Sequence, residues 1–246
     1  MSSDAQIPAE PQIVPQRHRL LAPWWHTLIL IVLLLAASLG GVLGGHPLAE
    51  SRGSKLPEYI ATMAWEWFLV GTIWLGIRKR IALRELIGGR WASVEDVLLD
   101  FVYAAAFWGC ALVVLGVTAK LMHLDEGGKF EAMRKSLGFL APGSRLELAV
   151  WFCTSATAGF CEEIIFRGYL QRQFAAMANS MLAGVALSAI LFGCSHGYEG
   201  AARMVLIAIY GLMFGLLAWW RKSLRPGMIA HAWHDGLSGA VLRMLR

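Results

Sequence analysis

Charged residues are scarce in this 246-residue sequence, because Asp, Glu, Lys and Arg make up only 16% of it while 57% is hydrophobic. The mean hydropathy is +0.54, whereas about a quarter of an average soluble domain is charged. The shortage of charge excludes an ordinary soluble domain and predicts a protein embedded in a lipid bilayer. Glycine is abundant, with 26 residues, as expected of membrane helices that pack closely.

Cysteine is also sparse, and its pattern excludes two common kinds of site. The four cysteines lie in apolar segments without CxxC spacing, so we expect no disulfides and interpret them as small buried residues: Cys110, Cys153, Cys161 and Cys194. The sequence also lacks HExxH, the compact zinc-binding pair of many metalloproteases.

A long basic run interleaved with aromatic residues is absent too, which argues against a nucleic-acid partner. The net charge of +5 instead comes from basic residues in short loops, where they set membrane orientation. Arg78-Lys79-Arg80 closes an apolar segment and predicts a cytoplasmic loop and, one span earlier, a cytoplasmic N-terminus. We therefore expect a multi-pass integral protein of the cell (inner) membrane, with the lipid bilayer as a partner.

The apolar segments predict an all-α fold, a polytopic transmembrane helical bundle of about seven spans. The expected spans cover about residues 24–44, 59–77, 97–121, 146 to a turn near 179, 181–196, 201–220 and 227–245. We divide the chain into a flexible polar N-terminus (1–22), N-terminal membrane helices with an amphipathic linker at 81–95 (23–96), and a core (97–246). Glu66 lies inside the second span and is either a second polar participant or a residue that faces protein or the interface; because a partner motif is lacking, we favour the latter.

Three apolar segments carry a marked cluster of residues that handle protons. They are Glu162-Glu163-x-x-x-Arg167, Phe192-Gly193-Cys194-Ser195-His196 and His231-Ala232-Trp233-His234-Asp235. Ionisable residues are expensive inside a bilayer, so their presence is a functional hypothesis by default. Counting about 17 residues from the turn near Asn179 to Glu162 and to His196 places both at one depth, and His231 near it.

Helix geometry separates the two adjacent acids. Glu163 and Arg167 are four apart with the acid first, the favourable order for an ion pair. We interpret them as a neutralised structural pair. Glu162 points about 100° away from Glu163, and we predict that this acid is free to move protons as a general base.

The remaining roles follow from side-chain chemistry. We predict that His196 shares the activated water and that the ring of Phe192 packs on its imidazole. Asp235, four residues after His231, is expected to orient that imidazole, so that His231 donates to an oxyanion. A serine nucleophile at Ser195 is disfavoured, because adjacent helical residues do not face each other.

A metal ion is the alternative account of the same residues. Glu162, His196 and His231 form a two-His, one-carboxylate set that suits zinc with one position open for water. The sequence leaves open whether no cofactor is required or a divalent metal such as zinc is bound.

In order and spacing, the three motifs resemble those of the CAAX-protease and bacteriocin-processing (CPBP) family, which includes the Ras-converting prenyl endopeptidases and the Abi proteins. The family pattern is Glu-Glu-x-x-x-Arg, Phe-x-x-x-His and His-x-x-x-Asn/Asp, matched here by residues 162–167, 192–196 and 231–235. The resemblance implies an intramembrane endopeptidase with a cavity open to the cytosol, acting on a protein or peptide substrate. By analogy Glu162 and His196 activate water, and His231 with Asp235 stabilises the oxyanion.

One residue departs from the prenyl endopeptidases, which have Asn where this chain has Asp235. An ionised Asp cannot donate to an oxyanion, so Asp235 must be protonated or must act only through His231. We expect hydrolysis of a protein or prenylated CAAX-type substrate near the cytoplasmic face. The alternative is a non-catalytic membrane immunity or scaffold protein of the same fold.

Overall fold

The structure, a computed structural model, describes residues 19–44, 53–124, 126–128 and 141–244. Nine α-helices lie in these ranges, together with a π-helical segment at Glu163–Leu170 and a short 3-10 turn at Gly197–Glu199. The α-helices are α1 (Trp24–Leu43), α2 (Leu56–Ile77), α3 (Leu83–Ile87), α4 (Val94–Leu121), α5 (Arg145–Glu162), α6 (Gln171–Ala178), α7 (Met181–Ser195), α8 (Ala201–Arg221) and α9 (Arg225–Met244).

The helices confirm an all-α bundle of a membrane protein. Five are long and apolar enough to cross a bilayer: α1, α2, α4, the continuous α5–α6 rod and α8. The apolar α7 has 15 residues and α9 has 20, so seven helical rods agree with the expected number of spans. The predicted flexible N-terminus falls outside the described residues except for 19–22, and the division at residue 97 stays a prediction.

Capping residues explain where the rods begin. The hydroxyl of Ser144 accepts from the backbone N–H of Glu147 at the start of α5, and that of Ser180 accepts from Ala183 at the start of α7. Asn179 turns the chain between α6 and α7 with a φ of 49°, a left-handed conformation that Asn tolerates. The turn predicted near this residue is therefore present.

The predicted amphipathic segment at 81–95 forms one short helix, Leu83–Ile87, and its last two residues already belong to α4. Gly88 and Gly89 follow with φ of 67° and 61°, which end the helix because positive φ interrupts it. Substitution of Gly88 is also blocked by space, since a Cβ there would meet the backbone of Lys222. The glycine pair thus ties this loop against the α8–α9 connection.

The packing of α2 and α5 fixes what faces the site. The rings of Tyr59 and Trp151 lie 5.3 Å apart, and those of Trp67 and Phe160 lie 5.6 Å apart. The residue numbers of both partners rise from the first pair to the second, so α2 and α5 run parallel. Their C-terminal ends therefore lie on the same side of the bundle.

Polar side chains hold α1 against the end of the α5–α6 rod. The Tyr169 hydroxyl lies 2.7 Å from Nδ1 of His26 and 3.1 Å from the Thr27 hydroxyl. The Gln173 side chain accepts from the backbone N–H of Leu21 and donates to Thr27. Buried polar groups need such partners inside a bilayer, and this network fixes α1 beside the site.

Candidate active site

The centre of the site is a buried ion pair on the π-helical segment. Nη1 of Arg167 donates to Oε1 of Glu163 over 2.9 Å, and both side chains are 1% exposed. Nη2 of Arg167 also donates to the Gly211 carbonyl on α8. The structure therefore contains the pair that the i,i+4 spacing predicts, and it anchors that pair to a second helix.

Glu163 also fixes the orientation of His231. Its Oε1 accepts from Nδ1 of His231 over 3.0 Å, so Nδ1 of the imidazole carries a proton and Nε2 faces the other way. Asp235 faces the other nitrogen of the ring, and the expectation that it orients His231 stays a prediction. Oδ2 of Asp235 lies 3.6 Å from Nε2 of His231, beyond a hydrogen bond, because the imidazole is already held from its Nδ1 side.

The second nitrogen of His231 faces two acids. Oε2 of Glu162 and Oδ2 of Asp235 each lie 3.6 Å from Nε2. Small residues permit this approach: a Cβ on Gly159 of α5 would lie 2.7 Å from the Met228 carbonyl of α9. The close packing of α5 and α9 thus brings Glu162 and His231 together.

His196 caps the end of α7 rather than lying within it. The Ser188 hydroxyl donates to the Phe166 carbonyl, and in this register Phe192 lies level with Glu162. His196, four residues beyond Phe192, is therefore about one turn deeper than Glu162 by this count. Its imidazole bends back, since Nδ1 lies 2.8 Å from the Phe192 carbonyl, and it lies within electrostatic range of Glu162.

That hydrogen bond sets the tautomer of His196. A carbonyl oxygen only accepts, so Nδ1 carries the proton, and Nε2 of the neutral ring is an acceptor. The Ser195 hydroxyl donates to the same Phe192 carbonyl over 2.8 Å. Ser195 is thereby engaged with the backbone, in line with the low rank of a serine nucleophile.

The ring of Phe192 packs against both imidazoles and the guanidinium group of the site. Its ring centroid lies 4.9 Å from that of His196 and 6.1 Å from that of His231. The guanidinium carbon of Arg167 lies 4.3 Å from the centre of the same ring. Phe192 therefore packs on His196 as predicted and also shields the buried cation.

Exposure divides the site residues into two groups. The side chains of Glu163, Arg167 and His231 are at most 5% exposed, whereas those of Glu162 and Asp235 are 17% and 32% exposed. His196 is also half-buried. Glu162 and His196, which are predicted to activate water, and Asp235 are thus partly accessible, whereas His231 and the supporting ion pair are buried.

The metal alternative gains nothing from this arrangement. Among the described residues no three His, Cys, Asp or Glu side chains are placed to hold one ion. Nδ1 of His231 is bound to Glu163 and Nδ1 of His196 to a carbonyl. Such bonds also occur in histidines that bind a metal through Nε2, so they do not decide between the two accounts, and the cofactor requirement stays a prediction.

Two buried residues near the site lie outside the motifs. Glu66 of α2 is 5% exposed and within electrostatic range of Glu162 and Asp235. Tyr210 of α8 has a buried hydroxyl without a hydrogen-bond partner, and its ring centroid lies 4.9 Å from that of His234. The only sequence signal for Glu66 was a carboxyl group inside an apolar span, which our interpretation set aside.

The same part of the chain matches a known family. Residues 144–237, which contain all three motifs, match the family model described as type II CAAX prenyl endopeptidase Rce1-like. The resemblance is confirmed. The Rce1-like segment runs from the cap of α5 into α9, and this family is one of membrane proteases. No curated protein and no solved structure matches the chain.

Proposed function

We propose that this protein is an intramembrane endopeptidase that hydrolyses a peptide bond of a protein or prenylated CAAX-type substrate near the cytoplasmic membrane face. One observation carries the proposal. Nε2 of His231, with its ring fixed by the Glu163–Arg167 pair, lies 3.6 Å from Oε2 of Glu162 and 3.6 Å from Oδ2 of Asp235. This proximity of an imidazole N–H donor to carboxyl groups supports the proposal.

The first step is attack by water. Glu162 takes one proton from a water molecule, while Nε2 of His196, the free acceptor of that ring, holds the other O–H. The water oxygen forms a bond to the carbonyl carbon of the substrate, and the carbonyl electron pair moves onto oxygen. His231, protonated at Nε2 as well as at Nδ1, donates to that oxyanion.

The second step breaks the peptide bond. The C–N bond cleaves as the oxyanion electrons return, and Glu162 passes its proton to the departing nitrogen. The products are a carboxylic acid and an amine; the acid then gives the second water proton to the amine, which leaves a carboxylate and an ammonium group, and Glu162 returns to its starting form. Glu163 remains bound to Arg167 and His231 throughout, so its role is to orient rather than to transfer protons.

The orientation of the bundle supports cleavage near the cytoplasmic face. Basic side chains gather at one end: Arg80 donates to the Leu20 carbonyl, Arg172 donates to Glu85, and Arg225 donates to Gly88. Positive charge marks the cytoplasmic side. His231 lies six residues, about 9 Å along α9, from Arg225.

The experiment is cleavage of a fluorogenic CAAX peptide, with and without a farnesyl group on its Cys, by purified protein in lipid vesicles. We expect Glu162→Gln and His196→Ala each to lower kcat/KM by at least about 100-fold, the usual contribution of acid–base groups. Glu95→Gln and His123→Ala, two exposed positions, are the matched controls. Equal cleavage by the wild type and both site variants refutes the proposal.

Asp235 is the observation that favours the alternative, a non-catalytic immunity or scaffold protein. An ionised carboxyl group beside the expected oxyanion would repel it, and no donor is gained. That alternative predicts that Glu162→Gln keeps the cellular phenotype while cleavage is absent in all variants. Metal analysis of the active protein with chelator treatment addresses the cofactor separately.

A further inference from the structure

Glu66 is a buried acid without a cation on its own helix. Its side chain is 5% exposed, and its Oε2 is buried without a hydrogen-bond partner. The residues one turn away on α2 carry no charge: Thr62, Met63, Leu69 and Val70. A lone ionised carboxylate in such surroundings is strongly unfavourable, so this group needs either a proton or a partner on another helix.

The packing of α2 shows which helix supplies the partner. The rings of Trp67 and Phe160 pack 5.6 Å apart on two parallel rods, so the adjacent Glu66 lies level with the last turn of α5. That turn carries Cys161 and Glu162. The register therefore places Glu66 within about one helical turn of the residue that we assign as the general base.

The titratable groups around Glu66 are acids and weak acids. Glu162 and Asp235 act on it electrostatically. Cys161 of α5 and Tyr198, at the end of α7, also lie within electrostatic range of Glu66. Among the described residues, none of the groups that act on Glu66 is a lysine or an arginine.

Glu162 also lacks a hydrogen-bond partner for one of its carboxyl oxygens. Its Oε2 is likewise buried without a hydrogen-bond partner, and His231 is 3.6 Å away, beyond hydrogen-bond distance. Two carboxyl groups that share a poorly hydrated site cannot both be ionised, and the stable state holds one proton between them. One proton would satisfy both orphaned groups.

We propose that Glu66 and Glu162 form a carboxyl pair that holds one proton, which makes Glu66 a further positioning residue for the water-activating glutamate. The inference rests on the proposed function. The Glu66 carboxylic acid donates to one oxygen of Glu162 and leaves the other oxygen for water. When Glu162 takes the proton of that water the pair holds two protons, and one then passes to the departing nitrogen.

The first test needs no substrate. We would record the carboxylic-acid C=O stretch by infrared spectroscopy of the full chain in lipid vesicles at neutral pH. The wild type should show a band that is lost in Glu66→Gln and altered in Glu162→Gln. Glu58→Gln is the matched control, because Glu58 lies on the same helix and also has an unpartnered buried Oε2, but is not among the groups acting on Glu162. A band unchanged in both site variants overturns the pair.

The second test separates positioning from packing. Glu66→Leu removes the donor and should lower kcat/KM roughly tenfold, the value of a hydrogen bond to a charged group. Glu66→Gln keeps an N–H donor and should restore most activity, but the acid limb of its pH–rate profile should lose one titration step. Equal activity of both variants with an unchanged profile overturns the inference. If the infrared band behaves as expected but the wild type and Glu162→Gln cleave the peptide equally well, only the protease proposal is refuted.

Discussion

Two neighbouring glutamates of the site have different environments because a helix turns them apart. Glu163 is 1% exposed and is bound to Arg167 and His231, whereas Glu162 is 17% exposed and makes no hydrogen bond through its Oε2. The first acid has its charge compensated on both sides. The second has an oxygen without a hydrogen-bond partner, so the two neighbouring residues differ in charge compensation, as the proposed structural and reactive roles require.

At this scale we predict that Arg167→Met destabilises the protein by about 3–5 kcal/mol, because it leaves Glu163 as an uncompensated buried charge. Thermal unfolding in detergent measures the loss. Arg203→Met is the matched control, since Arg203 pairs with Glu199 but is 29% exposed, and a partly exposed pair contributes at most about 1 kcal/mol. Similar losses for the two variants would contradict the structural role of Arg167.

We also predict that Asp235→Asn keeps or raises peptidase activity, because an amide donates to an oxyanion at every pH. Asp235→Leu, which offers no donor, should have a kcat about 100-fold or more below that of the Asn variant, the usual cost of one oxyanion donor. Cleavage rates measured across a pH series check both variants. Equal loss in the Asn and Leu variants would show that the negative charge of Asp235, and not a donated hydrogen bond, is needed.

Local spacing made part of this residue chemistry predictable. The Glu163–Arg167 pair follows from positions four apart on one helix. The bond between Glu163 and His231 joins residues 68 apart, and no periodicity reports it. Spacing also gives no sign of the groups that act on Glu66, because these are Glu162 on α5 and Asp235 on α9.

At the scale of the elements, the π-helical segment and the short α7 determine what meets at the site. The segment Glu163–Leu170 is buried throughout, and π turns occur often at functional sites. α7 ends at Ser195, so the imidazole of His196 lies at a helix end and folds back. The sequence predicted the rods and the turn at Asn179, but not the change of helix type, which depends on tertiary packing.

Gly159 provides the test at this scale. A methyl group there would lie 2.7 Å from the Met228 carbonyl, so Gly159→Ala must push α9 away from α5. We expect a loss of about 1–3 kcal/mol in stability and a marked fall in activity as His231 moves from Glu162. Gly71→Ala, where a Cβ meets nothing within 4 Å, should be neutral or slightly stabilising. Unfolding and cleavage assays of Gly159→Ala and Gly71→Ala measure both effects, and equal results for the two variants would contradict the packing role of Gly159.

At the scale of the whole molecule, one end of the bundle is basic. The start of α1, the ends of α2 and α8 and the start of α9 meet there, where Arg80 contacts Leu20 and Arg225 contacts Gly88. Because successive membrane-spanning helices cross the bilayer in opposite directions, the end of α4 lies on the opposite side. The basic loops in the sequence predict that this end faces the cytoplasm.

Labelling of single introduced cysteines, in a background with the four native ones replaced by serine or alanine, tests the orientation. A membrane-impermeant thiol reagent should modify Glu126→Cys in intact spheroplasts and Lys79→Cys only in inverted vesicles. Both positions are exposed. The reverse pattern would place the basic end outside and move the proposed cleavage away from the cytosol.

The crowding of acids in one site has a consequence for biogenesis. Four carboxyl groups, those of Glu66, Glu162, Glu163 and Asp235, accompany the guanidinium of Arg167 and two imidazoles. Inserting all four acids ionised with neutral imidazoles would bring three uncompensated negative charges into hydrocarbon, at a severe cost. The nascent chain must therefore collect protons from the aqueous phase as its helices assemble, and the yield of assembled protein should depend on the acidity of the compartment where insertion occurs.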